Sequence, residues 1–147
     1  MEHYTALSPY LKRRFGCKVY KLALSAGCTC PNRDGTIGTR GCIFCSGSGE
    51  FAASGSASIP EQLEQAKYIL GKKAQGAKFI AYFQDFTNTY GAVSHLEPLF
   101  LAAIEAGDVV ALSIATRPDC LPEDILRMLS RLRTRKPVFV ELGLQTI

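Results

Sequence analysis

Four of the chain's six cysteines fall within twenty residues, in the stretch from Gly27 to Ser46, GCTCPNRDGTIGTRGCIFCS. Thiolates bind soft and borderline metals and neutralise their charge, so thiols gathered on one loop are candidate ligands. Cys42 and Cys45 form a CxxC pair, able to hold two corners of a zinc ion or two irons of a cluster. Eleven residues separate Cys30 from that pair, and Cys28 lies two before Cys30. Pro31, Asn32, Asp34, Gly35, Gly38 and Gly41 fill the space between them and favour turns over regular structure, which marks a loop. Two metal centres fit the spacing. One is a four-thiolate zinc site on Cys28, Cys30, Cys42 and Cys45, although the single-residue step from Cys28 to Cys30 is tighter than usual paired ligands. The other is an iron–sulfur cluster on Cys30, Cys42 and Cys45. A 4Fe-4S cube needs four ligands, so three thiolates leave one iron open to a substrate or cofactor. Spacing alone leaves both open. Cys17 and Cys120 lie apart and read as small buried hydrophobes, and Cys28 reads more readily that way than as a ligand.

The redox setting follows from what the rest of the chain lacks. No apolar run approaches the roughly 20 residues a membrane helix needs. The first residues, MEHYTALSPYLKRRFG, hold no apolar signal-peptide core. A cytoplasmic location is therefore expected, with no membrane partner, and there clustered thiols serve as metal ligands or catalytic groups rather than disulfides. At 147 residues with 47% hydrophobic and 20% charged residues, the chain can bury one core. The net charge of +4 is mild but uneven. Lys12, Arg13, Arg14, Lys18, Lys21, Arg33 and Arg40 cluster early, and Arg127, Arg131, Arg133, Arg135 and Lys136 late. These read first as a solvated face and second as attraction for an anionic partner such as tRNA. No RNA-binding module is legible.

The loop must be positioned by what flanks it. A short helix is predicted over Leu7–Phe15, with Ser8 as cap, Pro9 in its first turn and Gly16 ending it. Lys18–Ser25 reads as a strand, and the cysteine loop leaves its carboxyl end. A helix starts at Ser58, with Pro60 and Glu61 in its first turn, and closes at Gly76. Lys78–Phe83 is a second strand. Ser94 and Glu97 form an S-x-x-E capping box for the next helix, which Gly107 ends. Val109–Ala115 is a third strand, apolar throughout, as expected when both sheet faces are covered. A helix over 122–133 and a strand over Val138–Leu144 complete the pattern. The order β-α-β-α-β-α-β predicts an α/β fold with a parallel sheet. The polar segments QDFTNTYG, TRPD and LQT fall with the cysteine loop at the carboxyl ends of the strands, where such folds bind ligands. The fourth strand has no covering helix after it, and four strands cannot close a barrel. A fragment truncated at its C-terminus is therefore expected, with an exposed strand edge prone to association.

The stretch CPNRDGTIGTRGCIFC resembles the cluster loop of the radical S-adenosylmethionine (radical SAM) superfamily, and more narrowly that of the YhcC-type proteins. These share a C-P-N-R-D-G-T element followed by G-C-x-F/Y-C, with Phe44 at the aromatic position before the last cysteine. FQDFTNTYG, TRPD and ELGLQT are similar to segments of the same group, and the last two also to the tRNA-acting elongator catalytic subunit, in a branch related to the MiaB-like enzymes. The resemblance runs from about Val19 to Ile147. It implies a partial TIM-like (β/α) barrel, the first four strands of a radical SAM core over residues 18–147, behind an N-terminal extension over residues 1–17. It implies that Cys30, Cys42 and Cys45 ligate a 4Fe-4S cluster whose open iron binds the amino and carboxylate groups of SAM. Reductive cleavage would then give methionine and a 5′-deoxyadenosyl radical that abstracts hydrogen from the substrate. An electron donor such as flavodoxin or ferredoxin is implied as partner, and tRNA is suggested as substrate. The contrasting expectation is a non-catalytic zinc-binding module that recruits RNA or a protein through its basic face.

The sequence departs from the superfamily pattern after the second strand, where a Gly-Gly-Glu-like element usually holds the SAM amino group. Gln84, Asp85, Thr87 and Asn88 stand there instead, and Gln84 and Asn88 become the candidate SAM contacts because amides both donate and accept. Thr116 and Arg117, after the third strand, fall where ribose or carboxylate contacts are common, and Arg117 can fork onto a carboxylate. Glu141 and Gln145 share a face at the end of the fourth strand. Cys28 also departs, since a larger apolar residue is expected there. Asn32, Arg33 and Asp34 are expected to shape the loop.

Overall fold

The computed structural model describes residues 4–43, 45 and 57–143. Four strands, β1 (Val19–Leu24), β2 (Lys78–Phe83), β3 (Val109–Thr116) and β4 (Val138–Leu142), form one sheet in the order β1-β2-β3-β4. All three neighbouring pairs are parallel. Four α-helices accompany them: α1 (Leu7–Phe15), α2 (Ile59–Leu70), α3 (Val93–Glu105) and α4 (Glu123–Arg133). None is long and apolar enough to cross a membrane.

Strand alternation divides the sheet into two unlike faces. On one face Leu22, Leu24, Phe79, Ala81, Phe83, Leu112 and Ile114 pack with Leu63, Phe100, Ile104, Ile125 and Met128 into the main core. That is the face covered by α2, α3 and α4. Phe83 and Phe100 meet edge to face, with centroids 4.8 Å apart, a geometry that suits the ring quadrupoles. Among the described residues, the other face is covered at its amino-terminal end alone. There Leu11 of α1 packs on Ile80 and Ala111, flanked by Tyr10, Phe15 and Phe139. The carboxyl-terminal half of this second face is polar.

A bulge decides which β3 residues reach the second face. Phe79 pairs with Val109 but Ile80 pairs with Ala111, so Val110 is the extra residue. Val109 and Leu112, three apart, consequently share the core face, and Ser113 and Ala115 turn to the other. Every β3 residue except Val110 and Ala115 is buried, in keeping with a strand covered on both sides.

The element order is as the sequence predicts, and several ends are corrected. Ala6, not Ser8, occupies the α1 cap position. Pro9 in the first turn has no N–H to satisfy, which lessens the need for a side-chain cap. Gly16 does end α1, in the left-handed region at φ 71°. Ser58 opens α2 as expected, its N–H and hydroxyl both donating to Glu61, at 2.8 and 2.7 Å. That helix ends at Leu70 rather than at Gly76, because Gly71 takes φ 55° and a 3₁₀ turn follows. Ser94 is no cap either, since α3 begins one residue earlier. Its supposed box partner Glu97 accepts both arms of the Arg131 fork from α4, each at 2.9 Å. A bidentate guanidinium outcompetes a reach back to a helix start. Ala106, not Gly107, turns the chain out of α3, and α4 starts at Glu123.

The Phe83 side chain is completely buried at the centre of this packing. Phe83→Ala is expected to cost about 3–5 kcal/mol, read as a lower urea midpoint at unchanged slope. A loss below about 1 kcal/mol would mean that the surrounding core closes over the gap more readily than such cores do.

Candidate functional site

The carboxyl end of β1 is fixed before the cysteine loop begins. Gln62 of α2 is fully buried. Its Oε1 accepts from the Ser25 N–H at 2.8 Å, and its Nε2 donates to the Ser25 and Ala57 carbonyls at 3.2 and 2.9 Å. An amide that meets its donors and acceptors in this way holds a strand end in one position.

From there the loop is closed by its own backbone. Arg33 and Asp34 donate to the Cys30 carbonyl at 2.8 and 3.1 Å, and Ile37 and Gly38 to that of Pro31 at 2.9 and 3.2 Å. Gly41 donates to Asn32 O at 2.8 Å and Cys45 to Cys42 O at 3.0 Å. Asp34 accepts from the Thr36 N–H at 2.9 Å, an Asx turn at the tip. The Thr36 hydroxyl stands 3.0 Å from the Tyr90 hydroxyl, and Thr87 N–H donates to Thr29 O at 3.3 Å, so the loop is tied to the segment after β2.

Cys30, Cys42 and Cys45 all line one cavity of about 830 Å³ at the carboxyl ends of the strands. Among the described residues, no three His, Cys, Asp or Glu side chains converge as a group around a single ion. The three thiols share a wall instead. Cys28 is not part of that wall. It packs against the main core, and burial pushes its thiol up to about 11, which disfavours the thiolate a metal requires. Cys120 is buried, in line with a small hydrophobe.

Of the other candidate residues, Gln84, Thr116, Arg117 and Glu141 line the same cavity. Gln84 is exposed. Thr116 is buried, with its hydroxyl 2.5 Å from that of Thr89. Arg117 donates through Nε and Nη2 to Asp119 at 2.9 and 2.7 Å, so its fork is held by a carboxylate of its own chain. Asn88 stands apart from the cavity wall. It is completely buried, and its Nδ2 donates to the Phe83 and Ala115 carbonyls at 3.0 and 3.1 Å, joining the ends of β2 and β3. Gln145 and Phe44 lie outside the described residues.

Two lining residues, Tyr82 and Glu141, belong to a polar cluster of which sequence reasoning named only Glu141 as a site residue. Glu141 of β4 accepts hydrogen bonds from Lys21 of β1 and Ser113 of β3. Tyr82 of β2 lies beside it, with the Lys21 ammonium 4.1 Å from its ring centroid. Each strand thus contributes one side chain. Burial raises the Glu141 carboxyl, but the bonds from Lys21 and Ser113 more than offset this and leave it below its ordinary value. Burial, with the Glu141 charge next, pushes the Tyr82 phenol up to about 12 and keeps it protonated. The site therefore offers an anionic carboxylate and a neutral phenol.

The chain is similar to relatives of undefined activity. It is 46% identical over 148 residues to the uncharacterized protein YtqA of Bacillus subtilis, covering 99% of this chain and 46% of that one. It is 41% identical over 139 residues to protein YhcC of Escherichia coli, covering 92% of this chain and 44% of that one. An uncharacterized protein of Methanocaldococcus jannaschii is 32% identical over 142 residues, covering 94% and 43%. The chain thus spans less than half the length of the curated relatives it matches. No family model matches the chain, and no solved structure does.

Because the Glu141 carboxyl sits low in the folded state, it contributes stability above the unfolded carboxyl's pKa of about 4.3. That contribution is lost as pH falls through the folded value. Glu141→Gln leaves Lys21 without its counter-charge. The urea midpoints of wild type and variant are expected to differ most near neutrality and to converge below pH of about 4. A gap independent of pH would refute the ion pair.

Proposed function

We propose that the chain carries the N-terminal part of a radical SAM core, a partial TIM-like (β/α) barrel in which Cys30, Cys42 and Cys45 hold a 4Fe-4S cluster. One observation carries this reading. Three of the four loop cysteines, and not Cys28, face one cavity at the carboxyl ends of parallel strands, alongside Gln84, Thr116, Arg117 and Glu141. The donor set fits such a group in kind, since three thiolates bordering one cavity would hold three corners of a cube that needs four ligands. The four-thiolate zinc site would need Cys28, which packs on the core instead, so that alternative ranks second.

Held by Cys30, Cys42 and Cys45, the cluster would supply the electron for reductive cleavage of SAM and so hydrogen-abstraction chemistry. The chain's residues bind, orient and exclude water. Gln84 offers an amide donor and acceptor, and Glu141 offers a carboxylate that accepts from ligand hydroxyls. Asn88 acts on this reading through the strand ends it joins. The substrate we favour is tRNA, approached through the exposed basic residues Lys12, Arg13 and Arg14 of α1. The late basic group contributes less, because Arg127 and Arg131 are paired with Glu123 and Glu97. A cytoplasmic setting with a flavodoxin- or ferredoxin-like electron donor completes the proposal.

Anaerobic reconstitution with iron and sulfide, followed by EPR of the reduced protein with and without SAM, tests it. A cluster signal that SAM perturbs is expected. Cys28→Ala is expected to keep the cluster and Cys30→Ala to lose it. Equal iron loss in both variants, or stoichiometric zinc with no cluster formed, would overturn the assignment.

A further inference from the structure

The cysteine loop holds two polar side chains that the cavity's proposed chemistry does not use. Asn32 Nδ2 donates to Cys42 Sγ at 3.2 Å. Arg33 Nη2 donates to the Cys45 carbonyl at 3.2 Å, and its guanidinium lies 5.6 Å from the centroid of the Phe86 ring. The Arg33 side chain also runs directly over Gly41, where a Cβ would meet its Cζ at 2.8 Å. Gly41 adopts φ +69°, so a side chain there is excluded both by space and by backbone conformation. Phe86 takes the same left-handed region at φ 60°, uncommon for a bulky residue and characteristic of backbone held by its surroundings. Both Arg33 and Phe86 border the cavity.

We infer that Asn32 and Arg33 are positioning residues for the thiol site: Asn32 supplies an N–H to the Cys42 sulfur, and Arg33 holds the Cys45 carbonyl. The inference rests on the reading of these thiols as ligands. An amide N–H favours sulfur most when the sulfur carries negative charge, as a ligating thiolate does. Hydrogen bonds to ligating sulfurs favour the more negative, reduced state of an iron–sulfur centre and so set its reduction potential. Removing partners in this outer position costs about 10–100-fold in metal affinity in well-studied sites. Arg33 acts differently, since it bonds a carbonyl rather than a sulfur. It fixes the Cys45 backbone, and its charge adds to the field on the nearby thiols.

The test compares wild type, Asn32→Ala, Asn32→Asp and Thr36→Ala after anaerobic reconstitution. It reads reduction potential by EPR-monitored titration and iron release to a chelator. Asn32→Ala is expected to shift the potential to more negative values and to release iron about 10–100-fold more readily. Asn32→Asp, which replaces the donor with a negative charge, is expected to shift it further the same way. Thr36→Ala loosens the loop tip at Tyr90 without touching a thiol, and should leave the potential unmoved. A cluster of equal potential and equal retention in wild type and both Asn32 variants would overturn the inference while leaving the cluster reading intact. If wild type takes zinc and no cluster, the cluster reading fails. A matching loss of zinc affinity in Asn32→Ala would then still uphold the outer role of Asn32, and unchanged zinc affinity would overturn it. Wild type that holds neither metal would overturn both.

Discussion

The need to bury one face of a parallel sheet governs this protein. Parallel neighbours cannot be joined by tight hairpins, so each connection must cross over, and here a helix does so each time. The three crossover helices cover the same face and build the main core there. The geometric result is that every strand points the same way and all the carboxyl-terminal loops emerge at one edge. The cavity exists because of that constraint. Its thiols come from the loop after β1, Gln84 and Phe86 from the loop after β2, Arg117 from the end of β3 and Glu141 from β4.

The opposite face obeys a different balance. Its lower half is closed by Leu11 of α1, while its upper half carries Lys21, Tyr82, Ser113 and Glu141. Four polar groups on a partly buried face would be destabilising if any were left alone. They are arranged instead so that the carboxylate accepts from a lysine and a serine, and the lysine also lies over the aromatic ring. Such networks fix a position well when fully satisfied and poorly when not. The floor of the cavity is therefore held in place by side chains from all four strands, none adjacent in sequence to the cysteines above it.

The parts of this arrangement that follow short-range rules were legible in the sequence. Periodicity gave all four helices and all four strands in their order, and the Gly16 and Ser58 signals marked true helix ends. Cys30, Cys42 and Cys45 could be separated from Cys17 and Cys120 by spacing alone. The misses came from long-range competition. Glu97 looked like the second half of a capping box, but Arg131, 34 residues away, holds it. Ser113 looked like one more buried position of an apolar strand. Plain alternation from Val109 would aim it at the helices, and only the extra residue at Val110 turns it toward Glu141. Asn88 read as a loop polar group; its Nδ2 is taken by two strand-end carbonyls, while its buried Oδ1 has no partner among the described residues. Apart from the Phe83 carbonyl, five residues from Asn88, these partners lie 27 or more residues away, so no local pattern announces them.

The bonds within the cysteine loop span short stretches of chain. Cys30 binds the residues three and four ahead of it, Pro31 those six and seven ahead, and Asn32 reaches Gly41 and Cys42. Closing loops of this size costs little entropy and is fast compared with pairing distant parallel strands. The three thiols can therefore be gathered by their own segment during folding, ahead of the sheet that later frames them. Order in time would then run from the loop outward. The segment after β2 then holds the loop in place, through Tyr90 and Thr87.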